Sequence, residues 1–201
     1  MIHELRLYTL APGKVGEYLA LQRQLARPIR GDRFGRLIEY WTAASGEPHR
    51  VVHIWEYRTF EERLRLRTEM AADPRWKNDY SPLSHPLIVR QENMLLLPAD
   101  LPERAGQNGD AGVESELCFM RLRPGGAPRY LAALRELPPS SPQRPSRAWT
   151  VEVGELNTVV GLFHVKNDAT IFAEGTLSTF VLRLHATELS PSEGGSDTPQ
   201  P

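Results

Sequence analysis

The sequence predicts an α+β fold of two tandem ferredoxin-like modules whose antiparallel sheets pair within one chain as a dimeric α/β barrel. Three observations predict it. Residues 1–98 follow a strand–helix–strand–strand–helix–strand rhythm, the chain repeats itself at three collinear places, and a polar stretch rich in Gly, Ala and Pro separates the copies.

Residues 2–10 alternate in polarity as a strand does, and Pro12-Gly13 breaks the run. Residues 14–27 place Val15, Tyr18, Leu19, Gln22 and Leu25 at helical spacing. Residues 37–43 and 50–57 read as strands around a turn that contains Ser45, Gly46 and Pro48. Thr59 is placed to cap a helix running to Met70, with Glu62 completing a capping box. Asp73 and Pro74 end that helix, and residues 87–97 form the last strand.

The repeat is read from three blocks. ELRLYTLAPGKVGEYLAL from Glu4 aligns on ELCFMRLRPGGAPRYLAA from Glu116, and WTAASGEPHRVV from Trp41 aligns on WTVEVGELNTVV from Trp149. PLIVRQENMLLLP, ending at Pro98, is set against TFVLRLHATELSP, ending at Pro191. The second copy is eroded. Its first helix is interrupted after Leu137 by PPSSPQRP, which cannot continue a helix. Its chain is also shorter where the second helix should be, so that helix is expected to be vestigial. The organisation is thus a module at 1–98, a linker at 99–114, a degenerate module at 115–191 and a disordered tail at 192–201. An uncovered sheet in the second copy favours an intrachain pseudo-dimer, with a homodimer of such chains as the further option.

A net charge of -1 gives no field to attract nucleic acid, and no Lys/Arg-rich run appears. No stretch reaches the roughly 20 apolar residues of a membrane span. The single cysteine, Cys118, excludes an intrachain disulfide and suits a reducing compartment. The start, MIHELRLYTL, carries charges where a signal peptide needs an apolar run, so the chain reads as cytoplasmic.

IHELRLYTLAPGKVGEYL, YWT, VVHIWEYRTFEERLRLR, ADPRW and PLIVRQENMLLLP resemble the NIPSNAP family, along essentially the whole first copy. The resemblance implies a dimeric α/β barrel, in which two four-stranded sheets face each other with helices outside. It implies no particular reaction. The wider barrel superfamily holds cofactor-free monooxygenases, muconolactone isomerases, polyketide cyclases and haem-handling enzymes.

Each strand presents two lists of side chains. His3, Leu5, Leu7, Val52, Ile54, Leu87 and Val89 form an apolar list, expected to pack on the helices. The other list holds Glu4, Arg6, Tyr8, Ile38, Tyr40, Thr42, Val51, His53, Trp55, Tyr57, Ile88, Arg90 and Glu92, expected to face the barrel interior. Its structural reading is a buried polar interface with Glu4–Arg90 and Arg6–Glu92 ion pairs. Glu4 and Arg90 recur in the second copy as Glu116 and Arg183. Arg6, Tyr8, His53 and Glu92 instead give way to Cys118, Met120, Gly161 and His185, as a single asymmetric pocket requires.

The catalytic candidates are therefore His53 as a general base, with Arg6 and Tyr8 as anion-stabilising partners. Trp55, Tyr40, Glu92, Arg90 and Trp41 are the substrate-binding candidates. The expected function is acid/base chemistry (cyclisation, isomerisation or cofactor-free oxygenation) on a hydrophobic carbonyl-bearing or polyaromatic small-molecule ligand. The rival is a non-catalytic binding or scaffolding protein whose barrel is filled by side chains. His3, His49, His85 and His164 lack metal spacing, and no cofactor is expected, with haem binding a third option.

Overall fold

The two modules fold as the repeat predicts. In the computed structural model, residues 1–45, 49–101, 114–164 and 176–191 are described. The first module runs β1 (Ile2–Leu10), α1 (Val15–Leu21), a π turn (Gln22–Ala26), α2 (Arg27–Arg30), β2 (Arg36–Ser45), β3 (Arg50–Tyr57) and α3 (Phe60–Ala72). A second π turn (Trp76–Tyr80), α4 (Ser81–Ser84) and a 3-10 turn (His85–Leu87) lead into β4 (Ile88–Pro98). The second module holds β5 (Ser115–Leu122), α5 (Gly126–Glu136), β6 (Arg147–Val153), β7 (Thr158–His164) and β8 (Thr176–Ala186). Most of the linker, the tail and the place of the vestigial helix fall outside the described residues. No described helix is long and apolar enough to cross a membrane.

The eight strands close in the order β1-β3-β2-β8-β5-β7-β6-β4, every pair antiparallel. Each module contributes a sheet in ferredoxin-like order, and the sheets join along two seams, β2 with β8 and β4 with β6. Trp41 stands opposite Ala186 at one seam and Trp149 opposite Pro98 at the other, so the recurring tryptophans mark equivalent places. Closure leaves no unpaired strand edge for a further chain to extend.

What fills the barrel corrects the assignment of faces. Leu5, Leu7, Val52 and Ile54 point into the barrel, where they meet Leu117, Phe119, Val160, Leu162, Leu182 and Leu184 from the other module. Trp41 and Trp149 belong to the same cluster, each almost wholly buried. Burying each such aliphatic side chain contributes roughly 1.5–3 kcal/mol, so the barrel interior is the principal core. The polar list lies on the outside of the sheet, beneath the helices: Tyr8, Tyr40, Trp55 and Tyr57 cluster there with Tyr18, Val15 and Leu66.

Two β-bulges account for the remaining shifts. Opposite β1, Thr9 pairs Arg90 and Leu10 pairs Ile88, so Val89 is an extra residue and the face it separates reverses. Gln91 rather than Arg90 or Glu92 then shares a face with Tyr8. In β2 the register skips Ile38, which turns into the barrel while Leu37 and Tyr40 stay outside.

The third repeat block is out of structural register, although an equivalent bulge recurs at Leu177 opposite β5. Strand pairing sets Leu95 opposite Glu4 and Arg183 opposite Glu116, so Arg183 corresponds to Leu95 rather than to Arg90. The expected Glu4–Arg90 and Arg6–Glu92 pairs do not form. Arg183 does bond Glu116 at 3.1 Å, while Glu92 binds Arg50 and Arg90 at 3.0 and 2.8 Å.

Thr59 caps α3 by accepting the Glu62 N–H at 3.1 Å. The reciprocal half differs, because the Glu62 carboxylate takes the Arg58 N–H at 2.6 Å.

Candidate functional site

A cavity of about 110 Å³ lies between the outer face of the first module's sheet and its helices. Arg6 and Tyr8 of β1, His53 and Trp55 of β3, and Ile88 and Gln91 of β4 form its floor. The roof comes from Tyr18, Gln22, Arg27 and Arg30 on one side and Trp76, Tyr80 and Ser84 on the other, with Arg67 of α3 at the edge. His85 and Gln91 are exposed at the mouth.

Local sequence explains the roof. Two π turns widen the helical backbone at Gln22–Ala26 and Trp76–Tyr80, and both contribute lining residues. The turns clasp each other through Ala26, Ile29, Tyr80 and Trp76, and through a hydrogen bond from the Gln22 amide to the Tyr80 hydroxyl. Burial raises the Tyr18 and Tyr80 hydroxyls above the ordinary phenol range, so both stay protonated.

The floor is anchored from below by Glu4, whose side chain has no exposed surface. It receives Arg6 at 3.1 Å and Arg63 at 2.7 Å. Burial alone would raise its pKa, but Arg6 and Arg63 outweigh it and hold the carboxyl below its usual value. Arg6 is opposed by burial yet kept above its usual value by Tyr8 and Glu4. Its guanidinium also lies 5.1 Å from the Tyr8 ring centre.

His53 is held on three sides. It stacks on Tyr40 at 4.8 Å, meets the Tyr8 ring edge-on at 5.1 Å, and its Nδ1 accepts the Trp55 indole N–H at 2.6 Å. An indole nitrogen only donates, so the proton of a neutral His53 sits on Nε2. Burial, then the charges of Arg6, Arg30 and Arg67, hold the His53 pKa well below its ordinary value. The imidazole is therefore neutral, and its buried Nε2–H has no partner among the described residues. This changes the expected role. With Nδ1 occupied and Nε2 protonated, neutral His53 carries a hydrogen-bond donor and no free acceptor for a general base.

Arg30 packs its guanidinium 3.0 Å over the Trp55 ring and donates to the Phe34 carbonyl and the Tyr57 hydroxyl at 3.1 and 3.0 Å. Burial pulls its pKa down to about 10, which leaves it cationic at neutral pH. Trp55 thus has one face covered by Arg30.

The structure brings together His53, Arg6, Tyr8 and Trp55, with Tyr40 behind the imidazole. It separates the others. Trp41 is in the barrel core, while Arg90 and Glu92 sit away from the cavity because of the bulge at Val89. Sequence reasoning missed Arg27, Arg30, Arg67, Trp76, Tyr80 and His85, whose segments carry no alternation to place them on the sheet.

Every lining residue belongs to the first module. In the second, Gly161 stands where His53 does, and a Cβ there would lie 2.8 Å from the Phe163 ring and 3.5 Å from Pro145. The proline-rich segment has filled that space. Cys118, in the place of Arg6, is buried with its thiol pushed up to about 12, so it stays protonated.

Comparison with known proteins agrees with this division. The NIPSNAP family model matches residues 3–102. The human protein NipSnap homolog 3A is 30% identical over 129 residues, 63% of this chain and 50% of that protein. The chain therefore spans about half the length of the curated relatives it matches. A NIPSNAP family protein from Agrobacterium tumefaciens is 36% identical, with 49% of this chain and 93% of that one covered and a TM-score of 0.48. A proposed monooxygenase from Lactobacillus acidophilus superposes on both modules, over 91% of this chain and 92% of that one, with a TM-score of 0.60 at 14% identity. That last likeness is one of fold, a dimeric α/β barrel within a single chain. Through its first module, this chain belongs to the NIPSNAP family.

Proposed function

We propose that the first module is the site of a small-molecule acid/base enzyme that stabilises a carbonyl-bearing metabolite as its enolate. One observation carries this reading. Among the described residues, four arginines and no carboxylate line the cavity, and the imidazole on its floor carries a buried, unpartnered N–H.

When a C–H bond next to a carbonyl breaks, its electron pair moves onto the carbonyl oxygen. Arg6 and the Nε2–H of His53 would receive that oxygen, as donors fixed in advance. The proton leaves through the mouth to water or to the exposed His85, and its return to a different carbon gives an isomerisation. Attack of the enolate carbon on a second carbonyl would instead give a cyclisation. The barrel interior is filled by side chains, as the scaffolding rival requires, but the cavity lies elsewhere and has the charge of a binding site. A volume of about 110 Å³ favours a small carbonyl compound over a polyaromatic one. An engineered apolar cavity of about 150 Å³ takes a ligand the size of benzene.

The test uses acetylacetone, a 1,3-diketone whose enolate is followed by its ultraviolet absorbance. The protein should lower the apparent pKa of the diketone, and His53→Phe should remove the effect. An ionisation curve unchanged by saturating protein would sink the proposal. Arg6→Ala is a poor probe, because it strands the buried Glu4 charge and reports on folding instead.

A further inference from the structure

Charge bookkeeping around the cavity narrows the substrate further, given the enolate reading above. Of the four lining arginines, Arg6 is paired with Glu4, and Arg27 lies 3.8 Å from Asp32. Arg30 bonds only neutral acceptors, the Phe34 carbonyl and the Tyr57 hydroxyl, and its Nε is buried without a partner. Arg67 makes no hydrogen bond or ion pair among the described residues; burial and the nearby Arg6 disfavour its charge, and the more distant Glu4 carboxylate offsets them only in part. Two guanidinium groups are thus held at the cavity with no carboxylate in direct contact among the described residues, sharing only the field of Glu4, which already binds Arg6 and Arg63. Leaving buried or half-buried cations uncompensated costs free energy that a ligand's charge would recover.

A single enolate oxygen would offset only one of them. We infer that the substrate of this cavity is an oxo acid, whose carboxylate binds Arg67 and whose enolisable carbonyl oxygen lies deeper, against Arg6, Arg30 and His53. The depth of the two cations sets this polarity. Arg30 is 5% exposed, whereas Arg67, on α3, is only partly buried. A guanidinium matches a carboxylate in a two-pronged geometry, so Arg67 would hold the carboxylate in one orientation. The carboxylate then places the reacting carbon the same way in each encounter. Arg67 is accordingly a specificity-determining residue.

The experiment compares three probes of similar size by calorimetry at neutral pH: acetoacetate, acetylacetone and malonate. Acetoacetate has the carboxylate and the ketone, acetylacetone only the carbonyls, and malonate only carboxylates. The inference expects acetoacetate to bind at least tenfold more tightly than either of the others. Arg67→Met should erase that advantage over acetylacetone, and thermal stability should not fall, because the substitution removes an uncompensated cation. Equal affinity for acetoacetate and acetylacetone would overturn the oxo-acid assignment and leave the enolate reading standing. Malonate binding as tightly as acetoacetate would overturn it in favour of a plain dicarboxylate site. Binding of none of the three would overturn the assignment together with the function it rests on.

Discussion

Replacing Glu4 by Gln removes the one carboxylate that holds the cavity floor. Its side chain is fully buried, with Arg6 at 3.1 Å and Arg63 at 2.7 Å, and the Arg6 side chain is only 4% exposed. The amide can still accept a hydrogen bond, so the loss is mainly one of charge. Stranding one partner of a buried pair costs about 3–5 kcal/mol. At ~2–4 °C per kcal/mol for a chain of this size, the melting temperature at pH 7 should fall by about 6–20 °C. The pH dependence supplies a second reading. The Glu4 pKa is lowered on folding, so its contribution is fully present above the unfolded value and is lost as pH falls through the folded one. The gap between wild type and Glu4→Gln should therefore close as pH drops below the ordinary carboxylate value of 4.5. Glu17→Gln serves as the control, since the Lys14–Glu17 pair is about half exposed and should change stability by no more than ~0.5 kcal/mol. Thermal unfolding followed by circular dichroism between pH 3 and 7 checks both. A Glu4→Gln loss as small as the control, or a gap that does not narrow between pH 7 and pH 3, would refute the reasoning.

Gly35 has a φ of +105°, and a Cβ there would come 2.5 Å from the Tyr57 ring, so Gly35→Ala should cost at least about 2 kcal/mol in denaturant titration. Trp149 of the second module donates to the buried His3 Nδ1 at 2.9 Å across the modules, and Trp149→Phe should cost roughly 1–3 kcal/mol through the unpaired acceptor. Its loss should be seen in the same titration, with anion binding unchanged at saturation. Trp55→Phe removes the donor to His53 Nδ1, and nitrogen NMR should then show mixed imidazole tautomers where the wild type shows protonated Nε2 alone.

Period-two alternation made the strands and their two faces readable in the sequence, and Thr59 with Glu62 marked the start of α3. It could not say which face lay inside, because both faces of this sheet are buried, one by the other sheet and one by helices. The repeat held the missing information. Leu5, Leu7, Val52 and Ile54 are matched by Leu117, Phe119, Val160 and Leu162, and it is this retained apolar face that the modules share. The face that diverged, Arg6 to Cys118 and His53 to Gly161, is the one each module keeps to itself. The bulge at Val89 left no sequence signal, since one extra residue within an alternating strand changes register without changing composition. The roof was missed because π turns follow no simple hydrophobic period.

Covalent linkage of the two halves of the barrel changes what a mutation can do. In an assembly of identical subunits every substitution arrives twice, at both cavities and at both seams. Here a substitution touches one half only. Gly161 and the proline-rich filling beside it could arise without harming His53, while the second half kept supplying the strands that close the barrel. The chain has in effect separated two duties that a symmetric pair must perform with the same residues. One half is left free to keep a polar face of its own, and the other is held only to its shape.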